Sequence, residues 1–222
     1  MEVSIPAGPA ILTGVLSIPQ PAKGLVLFAH GSGSSRHSRR NQSVASGLNR
    51  TGLATLLFDL LTEEEEIVDV QTAVHRFNVI LLAQRLVYAT EWTRQQEQTR
   101  NLGLGYFGAS TGAAAALISA AELPDVISAV VSRGGRPDLA GPALANVRAP
   151  TLLIVGGEDH DVIQLNEAAR EQMRCEVKME IIPGATHLFG EPGALDEVAR
   201  LSANWFLAKI TNQRAKRLSG VW

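Results

Sequence analysis

Short apolar runs without polar alternation recur along this chain, and they limit its fold more than any other feature. They lie at Gly24 to Ala29, Leu53 to Phe58, Leu102 to Phe107, Val126 to Val131 and Thr151 to Val155, with a similar run, interrupted by Lys178 and Glu180, at Val177 to Ile182. A strand with one wet face alternates apolar and polar residues, so an unbroken run of this length suits a strand covered on both faces. Four of the five gaps hold residues at helical spacing, such as Val79, Leu82, Leu86 and Ala89. The fifth, Ser132 to Pro150, is rich in Pro and Gly and reads as a loop with little room for a lid. After the last run, Val198, Leu201, Trp205 and Ala208 are again helical in spacing. Strand–helix alternation means an α/β fold: a mostly parallel central sheet with helices on both faces. Val3 to Ala7 and Ile11 to Ile18 flank the turn signal Gly8-Pro9, which predicts an antiparallel hairpin at one edge.

A chain of 222 residues suits a single domain with a large core, 1–222, in which about 212–222 reads as a flexible basic tail. The net charge of -2 gives no field that draws the chain to nucleic acid or an acidic membrane. Cys175 is the only cysteine, so no internal disulfide can form. With no signal-peptide pattern at Met1 to Pro6 and no bilayer-spanning run, the expected location is cytoplasmic. Glu63 to Glu66 read as a solvated helix start, where acidic side chains suit the positive end of the helix dipole.

The chemistry centres on Gly108-Ala109-Ser110-Thr111-Gly112, a G-x-S-x-G pattern. A strand runs into it and an alanine-rich helix leaves it, the setting of a nucleophile elbow in an α/β-hydrolase fold. The backbone N–H of Thr111, at a helix N-terminus, is placed to hold an oxyanion. The overlapping match Gly103 to Gly108 to a dinucleotide fingerprint falls within a strand and lacks the acid that would end the next one. A serine hydroxyl needs a base, and in this fold the order along the chain is serine, acid, histidine. His187 follows the last strand. Asp159 follows Thr151 to Val155, with Glu158 and Asp161 as neighbours and Asp161 as its rival. Ser110, Asp159 and His187 thereby converge on the carboxyl edge of the sheet as a catalytic triad.

The loop His30 to Ser35 should supply the second oxyanion donor, the N–H of Ser32, with His30 as a structural residue. Arg36, Arg39 and Arg40 read as a solvated helix start. Arg133, with Arg136 behind it, lies at a strand end where side chains face the ligand crevice, and both are candidate substrate-binding residues. The histidines show no metal-ligand spacing.

The segments Leu27 to Gly33, Gly105 to Gly112, Leu153 to Asp159 and Pro183 to His187 resemble the dienelactone hydrolase family of α/β-hydrolases. The resemblance spans nearly the whole chain. It places the family's Gly-Gly-x-Asp-x-x-Val on Gly156 to Val162, which favours Asp159 over Asp161. It implies a carbonyl ester or lactone substrate, no cofactor and an acyl-enzyme intermediate. The short segment from Gly135 to Ala149 leaves an open site that suits a small acyl substrate, and a thioester would react by the same chemistry. Members that act on dienelactone itself use cysteine at the elbow, where this chain has Ser110. Acyl transfer by the same triad and a non-catalytic ligand-binding role are the alternatives.

Overall fold

The computed structural model describes residues 1–219, with side chains to Ile210. The six apolar runs form strands, and their side chains split by parity. Leu25, Leu27 and Ala29 enter one core with Tyr106 and Ala114; Val26 and Phe28 enter the other with Phe107 and Phe206. That two-sided burial is why the five inner runs lack polar alternation; the sixth, β8 at the sheet edge, carries Lys178 and Glu180 and is mostly not buried.

The hairpin comes first: β1 (Glu2–Ala7) and β2 (Ala10–Ser17). Next are β3 (Gly24–Ala29), α1 (Arg39–Arg50), β4 (Leu53–Phe58), α2 (Glu63–Thr72), α3 (Val79–Gln95) and β5 (Leu104–Ala109). Then follow α4 (Thr111–Glu122), β6 (Ile127–Arg133), β7 (Thr151–Gly156), α5 (His160–Gln172), β8 (Val177–Ile182) and α6 (Ala194–Ser219). The eight strands are ordered β1-β2-β4-β3-β5-β6-β7-β8. β1 to β2 and β2 to β4 pair antiparallel, and every other pair is parallel. α1 and α6 cover one face, while α3 and α4 cover the other.

Three expectations shift. β5 begins two residues later than its apolar run, because the Leu102 N–H closes a turn onto the Thr99 carbonyl. The gap after β6 is not plain loop. Pro137–Asn146 forms 3₁₀ turns, kinked at Gly141, and buries Leu144. Proline at the first position pre-sets the helical φ, so a Pro-rich segment can still coil. Helix α6 runs on to Ser219 through most of the segment expected as a tail, and 220–222 lie outside the described residues. Among the described residues, no helix is long and apolar enough to cross a membrane.

Candidate active site

Strand order explains why the site forms where it does. β5 is central, between β3 and β6, so the loops leaving these three strands meet at their carboxyl ends. Ser110 sits between β5 and α4 with φ 51° and ψ -123°, a conformation disfavoured for a residue with a Cβ. The turn holds because its neighbours are glycines. A Cβ on Gly108 would lie 2.4 Å from Ala113 Cα, and one on Gly112 2.2 Å from the Ala29 carbonyl oxygen. Backbone bonds fix it as well: the Ser110 N–H donates to the Arg133 carbonyl at 3.3 Å, and its carbonyl accepts from the Arg136 N–H at 3.0 Å.

Asp159 ends the β7 loop as the residue before α5, and its Oδ2 lies 2.6 Å from His187 Nδ1. That contact fixes the ring orientation and, with Nδ1–H donating, leaves Nε2 as the acceptor. Asp161 is exposed in the first turn of α5, and Glu158 is exposed too. Of the three acids, Asp159 is the one that meets the imidazole. Ser110 and His187 both line a cavity of about 210 Å³, together with Gly31, Ser32, Arg40 and Arg133. The cavity, not a direct hydrogen bond, joins serine and histidine; free-state catalytic bonds of this type often tighten only around substrate.

The Thr111 N–H opens α4 and has no acceptor within the helix. Ser32 differs from the simple expectation. Its N–H donates to Thr111 Oγ1 at 3.0 Å, so this donor is already engaged. His30 is structural, as expected. It is buried, its Nε2 accepts from the Leu60 N–H, and its Nδ1 meets the Gly31 carbonyl. Burial pushes its pKa down, so the ring stays neutral. Cys175 lies beside Pro124 and Arg148, remote from this cavity, and burial raises its thiol pKa. No cluster of His, Cys, Asp and Glu among the described residues could hold a metal ion.

The arginines separate. Arg36 pairs with Asp59. Arg39 is exposed. Arg136, a candidate substrate residue in the sequence, pairs with Asp138 at 2.8 Å and is absent from the cavity wall. Arg133 lines the cavity and is only 6% exposed. Arg40 lines it too, which the sequence reading missed. No linear signal joins residues 93 positions apart.

Residues 12–212 match the family model described as dienelactone hydrolase family. The chain belongs to the dienelactone hydrolase family. Among solved structures, a dienelactone hydrolase from Anabaena variabilis is 57% identical, with a TM-score of 0.93 over 95% of this chain and 97% of that one. An α/β serine hydrolase without lid from Xanthomonas campestris is 19% identical, with a TM-score of 0.72 over 93% of each chain, and shares the fold. A Mycobacterium tuberculosis protein named provisionally as a phosphoribosyl transferase is 53% identical over 206 residues. That match takes in 93% of this chain and 46% of the other, so the chain spans about half the length of that curated relative. The α/β-hydrolase fold inferred for this family member agrees with its eight-stranded sheet and antiparallel N-terminal pair.

Proposed function

We propose that this family member is a serine hydrolase that cleaves a small carboxylic ester, lactone or thioester through an acyl-enzyme. Family membership supports hydrolase activity. The observation that carries the finer reading is the Asp159–His187 contact of 2.6 Å, facing a cavity that also holds Ser110 on its strained turn. Such strain is costly and persists where the surrounding structure enforces it.

In this reading Ser110 Oγ attacks the acyl carbon as His187 Nε2 takes its proton. Asp159 stabilises the imidazolium. The carbonyl π pair moves onto oxygen, and the Thr111 N–H holds the resulting oxyanion. The Ser32 N–H is the second donor, which the oxyanion takes over from, or shares with, Thr111 Oγ1. One such donor contributes roughly 10²–10³-fold in rate. The tetrahedral intermediate collapses, the C–O or C–S bond to the leaving group breaks, and His187 supplies that group with a proton. Water, deprotonated by His187, then attacks the Ser110 ester. The second tetrahedral intermediate collapses, the acyl C–Oγ bond breaks, His187 returns the proton to Ser110 Oγ, and the acid leaves.

The 3₁₀ segment after β6 packs against α4 and α5. Acyl transfer to an alcohol would pass through the same acyl-enzyme, with the alcohol in place of water. A panel of short p-nitrophenyl esters tests the reading: cleavage by the wild type, lost in Ser110→Ala, supports it. Equal cleavage by both proteins would overturn it.

A further inference from the structure

The cavity beside Ser110 carries positive charge that no acid pairs with among the described residues. Arg133 is buried, its Nε has no hydrogen-bond partner, and its one side-chain bond runs from Nη2 to Asn41 Oδ1 at 3.3 Å. Its guanidinium also lies 5.6 Å from the Phe189 ring centroid. Arg40 Nε is likewise buried without a partner. Among the described residues neither arginine has an ion-pair partner, and no Asp or Glu lines the cavity. A buried charge without a counter-charge is among the costlier features a fold can hold. The local helix adds to the imbalance. Arg39 and Arg40 occupy the first turn of α1, which has no acidic residue, so cations sit at the positive end of the dipole. Ser38 and Asn41, from that same end, line the cavity.

We propose that Arg40 and Arg133 form a subsite for a dianionic phosphomonoester group on the acyl substrate or its leaving group. This rests on the reading of Ser110 as nucleophile. Two unpaired guanidiniums and a helix N-terminus match a group of charge near -2, as a phosphate monoester carries at neutral pH. A carboxylate would offset only one. Both arginines line the cavity, and the guanidinium N–H groups they present to it suit donation to phosphate oxygens. The desolvated guanidinium of Arg133, pushed down to about 10 by burial first and by the charge of Arg40 second, stays protonated at neutral pH and gains most from an anion.

The test is calorimetric titration of the full chain with inorganic phosphate at low salt, with acetate in parallel. One phosphate site is expected, weakened about tenfold or more in Arg40→Gln, roughly the loss of one charge-assisted hydrogen bond. Arg40 is half-buried on α1, and a thermal melt of the variant checks that it folds. Arg133→Lys is the second variant and should weaken phosphate as well. Saturating phosphate should also slow fluorophosphonate labelling of the wild type. Absent phosphate binding, binding unchanged in both variants, or acetate binding as tightly as phosphate would overturn the subsite. Failure of fluorophosphonate to label Ser110 while phosphate still binds would overturn the serine reading, and with it the acyl substrate, and leave only the anion site.

Discussion

Helices α1 and α2 both start at the carboxyl edge of the sheet, after neighbouring parallel strands, and their first turns are opposite in charge. α2 opens with Glu63 to Glu66 behind a complete capping box, in which Thr62 and Glu65 satisfy each other's backbone N–H groups. α1 opens with Arg39 and Arg40 and no acid, capped by Ser38 at a longer 3.4 Å. Each start borders its own cleft, and Ser34 lines both. The cleft at α2 is the larger, about 510 Å³, with Asp59, Glu63 and Glu66 on its wall. The cleft at α1 is about 210 Å³ and holds Ser110 and His187. Size therefore points away from the nucleophile, and electrostatic cost points towards it. The helix start that obeys the dipole serves the fold; the one that opposes it faces the candidate chemistry.

Substitutions can break or sharpen that contrast. The largest effect is expected at the triad. Asp159→Asn should slow ester turnover by roughly 10⁴-fold, because the imidazole loses the anion that fixes its tautomer. Asp161→Asn, two residues on and exposed, should be mild; steady-state kinetics on the same ester would show a reversed order if the histidine's partner were misassigned. Next comes Arg133→Ala. The kcat/KM ratio of an anionic ester over its neutral counterpart should fall by about 1.5–3 kcal/mol, the range for hydrogen bonds to a charged group. Since both substrates meet the same protein, an unchanged ratio would make Arg133 purely structural. The smallest effects compare the two helix starts in thermal melts. Thr62→Ala should cost about 1 kcal/mol of stability as α2 loses its cap. Arg40→Gln should gain about 0.3–1 kcal/mol as α1 loses a cation at its positive end. Destabilisation by both would remove the contrast.

Much of the fold was legible in the sequence because burial on both faces of a parallel sheet writes itself as unbroken apolar runs. Legibility failed where apolar residues serve turns. Leu102 looks like strand but closes the turn before β5. Pro137 to Asn146 looks like loop, since composition hides 3₁₀ coils built on proline. In α2, Ile67, Val68 and Val70 face outward while Asp69 is buried. Asp69 accepts from the N–H groups of His75 and Arg76 and pairs with the Arg76 side chain, a loop-fixing role that no periodicity signals.

At the site, Ser110 was legible from its glycines and its strand–turn–helix setting. The choice of Asp159 over Asp161 came from the family resemblance, and the 2.6 Å contact to His187 now gives it a physical basis. The bond of the Ser32 N–H to Thr111 Oγ1 has no linear signal, because it depends on a side chain 79 positions away. Arg40 read as one of three solvated arginines. Only the folded chain separates it from Arg36, which Asp59 neutralises, and brings it to Arg133.

Every step proposed at this site depends on Ser110 acting as the nucleophile. Intact-protein mass spectrometry after treatment with a fluorophosphonate, followed by peptide mapping, tests it most directly. A nucleophilic serine attacks the probe's phosphorus, fluoride leaves, and the tetrahedral adduct sits in the oxyanion hole. One adduct per chain is expected, on Ser110, with ester cleavage lost in proportion to labelling and no adduct in Ser110→Ala. An unmodified mass, or an adduct that maps to Cys175, would contradict it.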